Sequence, residues 1–124
     1  MGKKKIMIVD DEENILELVK VLLEQEGFEV LTASSGKECL EKLKKVKPDL
    51  ILLDIMMPGM TGREVLEKIR ENPKTKHLKV AFLTVVRYSE ISKKEFKNLN
   101  VLDYITKPFD NKDLIRRVKK LVES

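Results

Sequence analysis

Asp10 and Asp54 each stand directly after a short apolar run, Asp11 follows Asp10, and Thr84 and Lys107 stand at the ends of two further runs. Acidic side chains crowded together repel, and they raise one another's pKa unless a cation neutralises them. An all-oxygen donor set without histidine or cysteine suits Mg²⁺, which keeps several waters and binds through one or two carboxylates plus phosphate. Three carboxylates, a divalent ion and the Lys107 ammonium are together electroneutral. Such a site can receive a phosphoryl group, with a carboxylate as nucleophile and an aspartyl phosphate as product. The cations would stabilise the equatorial oxygens, and positioning would do most of the catalysis. Taken singly, each acid reads better as a helix cap or turn former; the convergence of four strand ends is what points to a site.

That convergence depends on the elements around it. Ile6 to Val9, Leu50 to Leu53 and Val80 to Leu83 are continuous apolar runs without alternation, as in strands covered on both faces of a parallel sheet. Phe28 to Thr32 and Val101 to Ile105 are weaker and belong nearer the sheet edges. Asn14 to Gln25 has helical spacing, with Ile15, Leu18, Val19 and Leu22 on one face. Gly36 to Lys45 turns Cys39, Leu40 and Leu43 to one side, behind the candidate caps Ser34 and Ser35. A third helix opens at Thr61 or Gly62, places Val65, Leu66 and Ile69 inward, and closes before Pro73. Ser89 to Leu99 is a polar fourth candidate, and the last runs from an Asp110 cap through Leu114, Ile115, Val118, Leu121 and Val122. Five strand-then-helix repeats predict an α/β fold: one domain over residues 1–124, with a five-stranded parallel sheet and five helices on its two faces. The pattern leaves the strand order open. Ligands of such sheets bind beyond the carboxyl ends of the strands, where the acids fall.

With 124 residues the chain reads as one domain, able to bury roughly two-thirds of the surface its unfolded form exposes. Apolar residues at 42% and charged residues at 37% exclude a disordered or fibrous chain. Cys39, the single cysteine, cannot close an internal disulfide and favours a reducing, cytoplasmic compartment. No apolar run approaches the roughly 18 residues of a membrane span, and Lys3-Lys4-Lys5 has no signal-peptide core behind it. The balance of 25 Lys and Arg against 21 Asp and Glu gives +4, which hints at an anionic partner. The lysines are scattered among glutamates, however, and tryptophan is absent, so solvated helix faces are the better reading than nucleic-acid binding.

Asp10-Asp11, the stretch Asp54-Ile55-Met56-Met57-Pro58-Gly59-Met60-Thr61-Gly62, Thr84, Tyr104 and Lys107-Pro108-Phe109 together resemble the receiver domain of two-component response regulators. The likeness covers essentially the whole chain. It implies a flavodoxin-like fold with strand order 2-1-3-4-5, and phosphorylation of Asp54 by the phosphohistidine of a sensor histidine kinase. Asp10, Asp11 and Asp54 would hold Mg²⁺, Asp11 more directly than Asp10, with the backbone carbonyl of Met56 as a further ligand. Lys107 would pair with the phosphoryl group, and its bond to Pro108 would be cis. Thr84 would donate its hydroxyl to a phosphoryl oxygen, and Tyr104 would rotate inward as the second half of a switch. Read without the resemblance, Tyr104 is equally an edge aromatic. The methionine side chains read as apolar filler rather than ligands, and His77 reads as a surface residue. The chain departs from the family at Val85, where a small residue is usual, and at Asn98-Leu99-Asn100-Val101, where Gly-Ala is usual. The resemblance implies a switch that catalyses only its own phosphorylation and dephosphorylation. Because one α/β unit uses up the sequence, the expectation is a stand-alone switch that signals to a downstream protein, and the composition adds no nucleic acid and no membrane insertion.

On the first helix the apolar positions cover an arc of roughly 220°, where a core-facing stripe needs little over 100°. The excess predicts an exposed apolar edge at Leu18 and Val21, bordered by uncharged Asn14 and Gln25. Exposed patches of this kind mark partner sites, and Asn14, Leu18 and Val21 are read as the face that meets the kinase. Two other classes fit less well. A phosphohydrolase working through an aspartyl phosphate commonly has a second acid two residues after the nucleophile, where this chain has Met56. A flavodoxin-type cofactor binder needs a glycine-rich phosphate cradle, and Asp10-Asp11-Glu12-Glu13-Asn14 would repel phosphate.

Overall fold

The computed structural model describes residues 2–87 and 98–123. In chain order the elements are β1 (Lys5–Val9), α1 (Glu13–Gln25), β2 (Glu29–Ala33), α2 (Gly36–Leu43), β3 (Leu50–Leu53), α3 (Gly62–Glu71), β4 (Val80–Thr84), β5 (Val101–Thr106) and α4 (Asn111–Glu123). All strand pairs are parallel, and the order across the sheet is β2-β1-β3-β4-β5. The weaker apolar runs do form the two edges. Five helices were expected and four are present among the described residues; the polar candidate Ser89 to Leu99 falls, apart from a turn at its end, outside them.

Continuous apolar strands are needed because successive side chains point to opposite faces of the sheet and both faces are covered. Ile6 and Ile8 of β1 join Leu50 and Leu52 of β3 in one core, closed by Leu16, Val19 and Leu23 of α1 and Leu114 and Val118 of α4. Met7 and Val9, with Ile51 and Leu53, face the other way into a second core, closed by Cys39 and Leu43 of α2 and Val65, Leu66 and Ile69 of α3. Each such buried aliphatic side chain contributes about 1.5–3 kcal/mol relative to exposure.

The helix ends follow their caps. The Ser35 hydroxyl accepts the Glu38 N–H at 3.1 Å and starts α2. Thr61 and Glu64 form a reciprocal capping box at the head of α3. The Asp110 carboxylate accepts the N–H groups of Lys112 and Asp113 ahead of α4. Helix α2 stops two residues before the expected Lys45, where the Lys44 and Lys45 amides turn back three residues to Glu41 and Lys42. Helix α3 stops at Glu71 because Pro73 forces Asn72 into an extended conformation.

One tertiary tie had no forecast in the sequence. The Arg70 guanidinium, at the end of α3, donates to four carbonyls: Leu99 at 2.7 Å, Leu78 at 2.7 Å, Lys76 at 2.9 Å and Asn100 at 3.2 Å. It thereby fastens the segment before β4 to the turn before β5, where Asn100 sits at φ 57°. Burial works against its charge and lowers its pKa. No helix among the described residues is long and apolar enough to cross a membrane.

Candidate functional site

Parallel pairing brings every strand's carboxyl end to one edge. Immediately after β1, the Asp10 amide continues the ladder to the Ala33 carbonyl at 3.1 Å, and after β3 the Asp54 amide does the same to Val9 at 3.0 Å. Those two backbone bonds set the carboxylates side by side. Asp10 and Asp54 are buried, at 1% and 3% exposure, while Asp11 faces solvent. One carboxylate oxygen from each of Asp10, Asp11 and Asp54 lies within 4.8 Å of the other two. Local amides steady the buried pair: Glu12 N–H donates to Asp10 Oδ1 at 2.9 Å, and Met56 N–H to Asp54 Oδ1 at 3.2 Å.

Lys107 closes the site from β5. Its amide donates to the Thr84 carbonyl at 2.7 Å, and its bond to Pro108 is cis, as expected. Its Nζ donates to Asp10 Oδ2 at 2.6 Å and Asp54 Oδ2 at 3.5 Å, with Glu12 3.8 Å away. Burial opposes the ammonium, but the bond to Asp10 and the charges of Asp54, Asp10 and Glu12 outweigh it, so the Lys107 pKa is raised. The group is therefore an ammonium at neutral pH. For Asp10 the balance goes the other way. Burial raises its pKa more than Lys107 and the Glu12 amide lower it.

Thr84 ends β4 fully buried, and its hydroxyl accepts the Val86 N–H at 3.4 Å. Tyr104 is half-buried on β5. Its ring stands edge-on to Phe82 at 5.8 Å, and its hydroxyl donates to the Val86 carbonyl at 2.6 Å. It is an edge aromatic and also a tether on the loop after Thr84. The side chains of Met56 and Val85 stand out into solvent, at 59% and 55% exposure.

The expected edge of α1 is present: Leu18 and Val21 are 42% and 51% exposed, Asn14 is exposed, and Leu16, Val19 and Leu23 take the core. His77 lies on the surface. Cys39 is buried, and burial, then the Glu38 charge, push its pKa up to about 12. Two neighbours of the acids were given no part in the site by the sequence reading. Glu12 reaches toward Lys107, and its place next to Asp11 was the available signal. Gly62 packs against Asp54, and its signal was a glycine at a helix start where any residue type would otherwise serve.

Every side-chain donor in the cluster is a carboxylate oxygen, two of them backed by amides and facing one ammonium. This set fits a hard divalent ion such as Mg²⁺ and offers nothing to a thiophilic one.

The response regulator receiver domain family matches residues 6–119. Among characterised proteins, the chain is 40% identical over 119 residues to the alkaline phosphatase synthesis transcriptional regulatory protein PhoP of Bacillus subtilis (strain 168), covering 96% of this chain and 48% of that protein. It thus spans about half that relative's length. The chemotaxis protein CheY4 of Vibrio cholerae superposes with a TM-score of 0.88 at 32% identity, over 97% of this chain and 99% of that one. The response regulator protein TrrA of Thermotoga maritima, in complex with Mg²⁺-BeF, superposes with a TM-score of 0.80 at 41% identity, over 95% and 98%. Fold, strand order and sequence agree: this chain belongs to the response regulator receiver domain family.

Proposed function

We propose that the chain is a Mg²⁺-dependent phospho-acceptor switch in two-component signal transduction in the cytoplasm, taking a phosphoryl group from the phosphohistidine of a sensor histidine kinase onto Asp54. Receiver domains act as phospho-accepting switches and bind Mg²⁺ at an acidic pocket. The observation that carries this reading is the Lys107 ammonium lying between Asp10 and Asp54 at one edge of the sheet. The lysine balances the buried acids and presents its ammonium to an arriving anion.

Asp10, Asp11, Asp54 and the backbone carbonyl of Met56 are the proposed metal ligands. Bound there, Mg²⁺ would offset the carboxylate charge and the charge on the transferring oxygens. An Asp54 carboxylate oxygen forms the new bond to phosphorus as the bond to the donor nitrogen breaks, and a phosphohistidine protonated on its other ring nitrogen leaves as neutral imidazole, keeping that proton. Lys107 pairs with the incoming phosphoryl group, and Thr84 turns its hydroxyl from the Val86 amide toward a phosphoryl oxygen. Tyr104, already tethered to Val86, follows that loop and relays the change to a downstream protein. Asn14, Leu18 and Val21 form the face that meets the kinase. That the similar TrrA was solved in complex with Mg²⁺-BeF supports the reading.

Incubation with acetyl phosphate, with and without Mg²⁺, tests the reading by intact-mass measurement. A labile gain of one phosphoryl group that needs Mg²⁺ and disappears in Asp54→Asn is expected. A gain that survives Asp54→Asn would place the acceptor elsewhere.

A further inference from the structure

Gly62, the first residue of α3, stands where any side chain would collide with the backbone of the proposed phospho-acceptor. A Cβ at this position would lie 2.1 Å from the Asp54 carbonyl oxygen, 2.8 Å from its carbonyl carbon and 2.7 Å from Ile55 Cα. All three are backbone atoms, which cannot swing aside as the tip of a side chain can. The helix start is not free to retreat either. The Gly62 N–H donates to the Ile55 carbonyl at 2.9 Å, and Thr61 is locked to Glu64 by the capping box.

The peptide unit so gripped leads straight into the site. Asp54 lies on one side of it, and Met56, one residue beyond Ile55, donates its N–H back to Asp54 Oδ1 at 3.2 Å. The Asp54 carboxylate and the Met56 carbonyl therefore share one backbone support, and Gly62 sets its place. Mg²⁺ requires near-ideal octahedral geometry, and a displacement of about 1 Å in a reacting group can cost about 100-fold.

We infer that Gly62 is a positioning residue for the metal seat: by lacking a Cβ it lets α3 press on the Asp54–Ile55 peptide and hold two ligands in register. This rests on the reading that the acidic pocket takes Mg²⁺. Gly36, at the head of α2, provides the contrast. A Cβ there would meet the side chains of Val65 at 2.5 Å and Met60 at 3.1 Å, in the core beneath α3 rather than at the acids.

Calorimetric Mg²⁺ titration and thermal unfolding of the whole chain, Gly62→Ala and Gly36→Ala form the test. Gly62→Ala is expected to lose at least tenfold in Mg²⁺ affinity. Gly36→Ala is expected to melt lower and still bind Mg²⁺ within about twofold of the parent. Parental Mg²⁺ affinity in folded Gly62→Ala, or an equal loss in both variants, overturns the inference alone. A parent chain that binds no Mg²⁺ overturns the proposed function and the inference with it. Should Gly62→Ala fail to fold, hydrogen exchange on the parent decides. Coupling is reciprocal, so Mg²⁺ must slow exchange of the Gly62 amide, and an unchanged rate overturns the inference.

Discussion

The Tyr104 hydroxyl donates to the Val86 carbonyl at 2.6 Å, joining β5 to the loop that follows Thr84. Tyr104→Phe deletes this bond while keeping the edge-on contact with Phe82. A single hydrogen bond of this kind contributes about 0.5–1.5 kcal/mol. Urea denaturation should show a loss in that range, with faster amide exchange at Val86. A neutral result would mean that the hydroxyl is equally well served by water.

Lys107 is the only ammonium among the described residues within salt-bridge distance of Asp10 and Asp54. In Lys107→Met the two buried carboxylates face each other uncompensated, and the metal-free protein should melt lower. A divalent cation then meets no competing ammonium, so the rise in melting temperature on adding Mg²⁺ should exceed that of the parent chain. Phosphorylation by acetyl phosphate should nevertheless fall by roughly 100- to 1,000-fold, as for the loss of a donor to a developing anion. An unchanged phosphorylation rate would remove Lys107 from the chemistry.

Leu18 and Val21 are about half exposed, so Leu18→Glu and Val21→Glu should lower stability by no more than about 1 kcal/mol. Phosphoryl transfer from the cognate kinase should slow by tenfold or more, and acceptance from acetyl phosphate should not change. Equal loss with both donors would show that the substitutions damage the acidic site instead of a docking face.

The thiol of Cys39 is held neutral by burial, with its pKa raised from 9.0 to about 12. A disulfide reagent at pH 8 should therefore leave the native protein unlabelled and react once urea unfolds it. The sign of the pH effect follows. Between the two pKa values the unfolded chain gives up a proton that the folded chain keeps, so this contribution is intact below pH 9 and is lost as pH rises toward 12. Cys39→Ala should flatten that part of the stability profile.

What the sequence revealed and what it hid have physical reasons. Leu50 to Leu53 could be read as a central strand because a strand covered twice has no polar side to break the run. Asp54 could be read as a site residue because parallel topology sends every strand end to the same edge. The excess apolar arc of α1 was legible for a similar reason, since a helix can turn only one stripe to a core. Arg70 was not legible. Its partners are four backbone carbonyls, which leave no mark in residue types, whereas Lys107 could be paired with acids by charge. Gly62 was visible as a letter, but its reason lies in the approach of α3 to Asp54, which only the assembled fold displays. The boundary of α2 slipped because Lys44-Lys45 suits a helix interior as well as a closing turn.

Asp10 and Lys107 are 97 positions apart, yet they meet within 2.6 Å. A growing polypeptide that has emerged only as far as β4 carries the three acids without their built-in counterion. Competence to be modified therefore arrives only when the last strand docks, and an unfinished or C-terminally clipped molecule would be silent to its input.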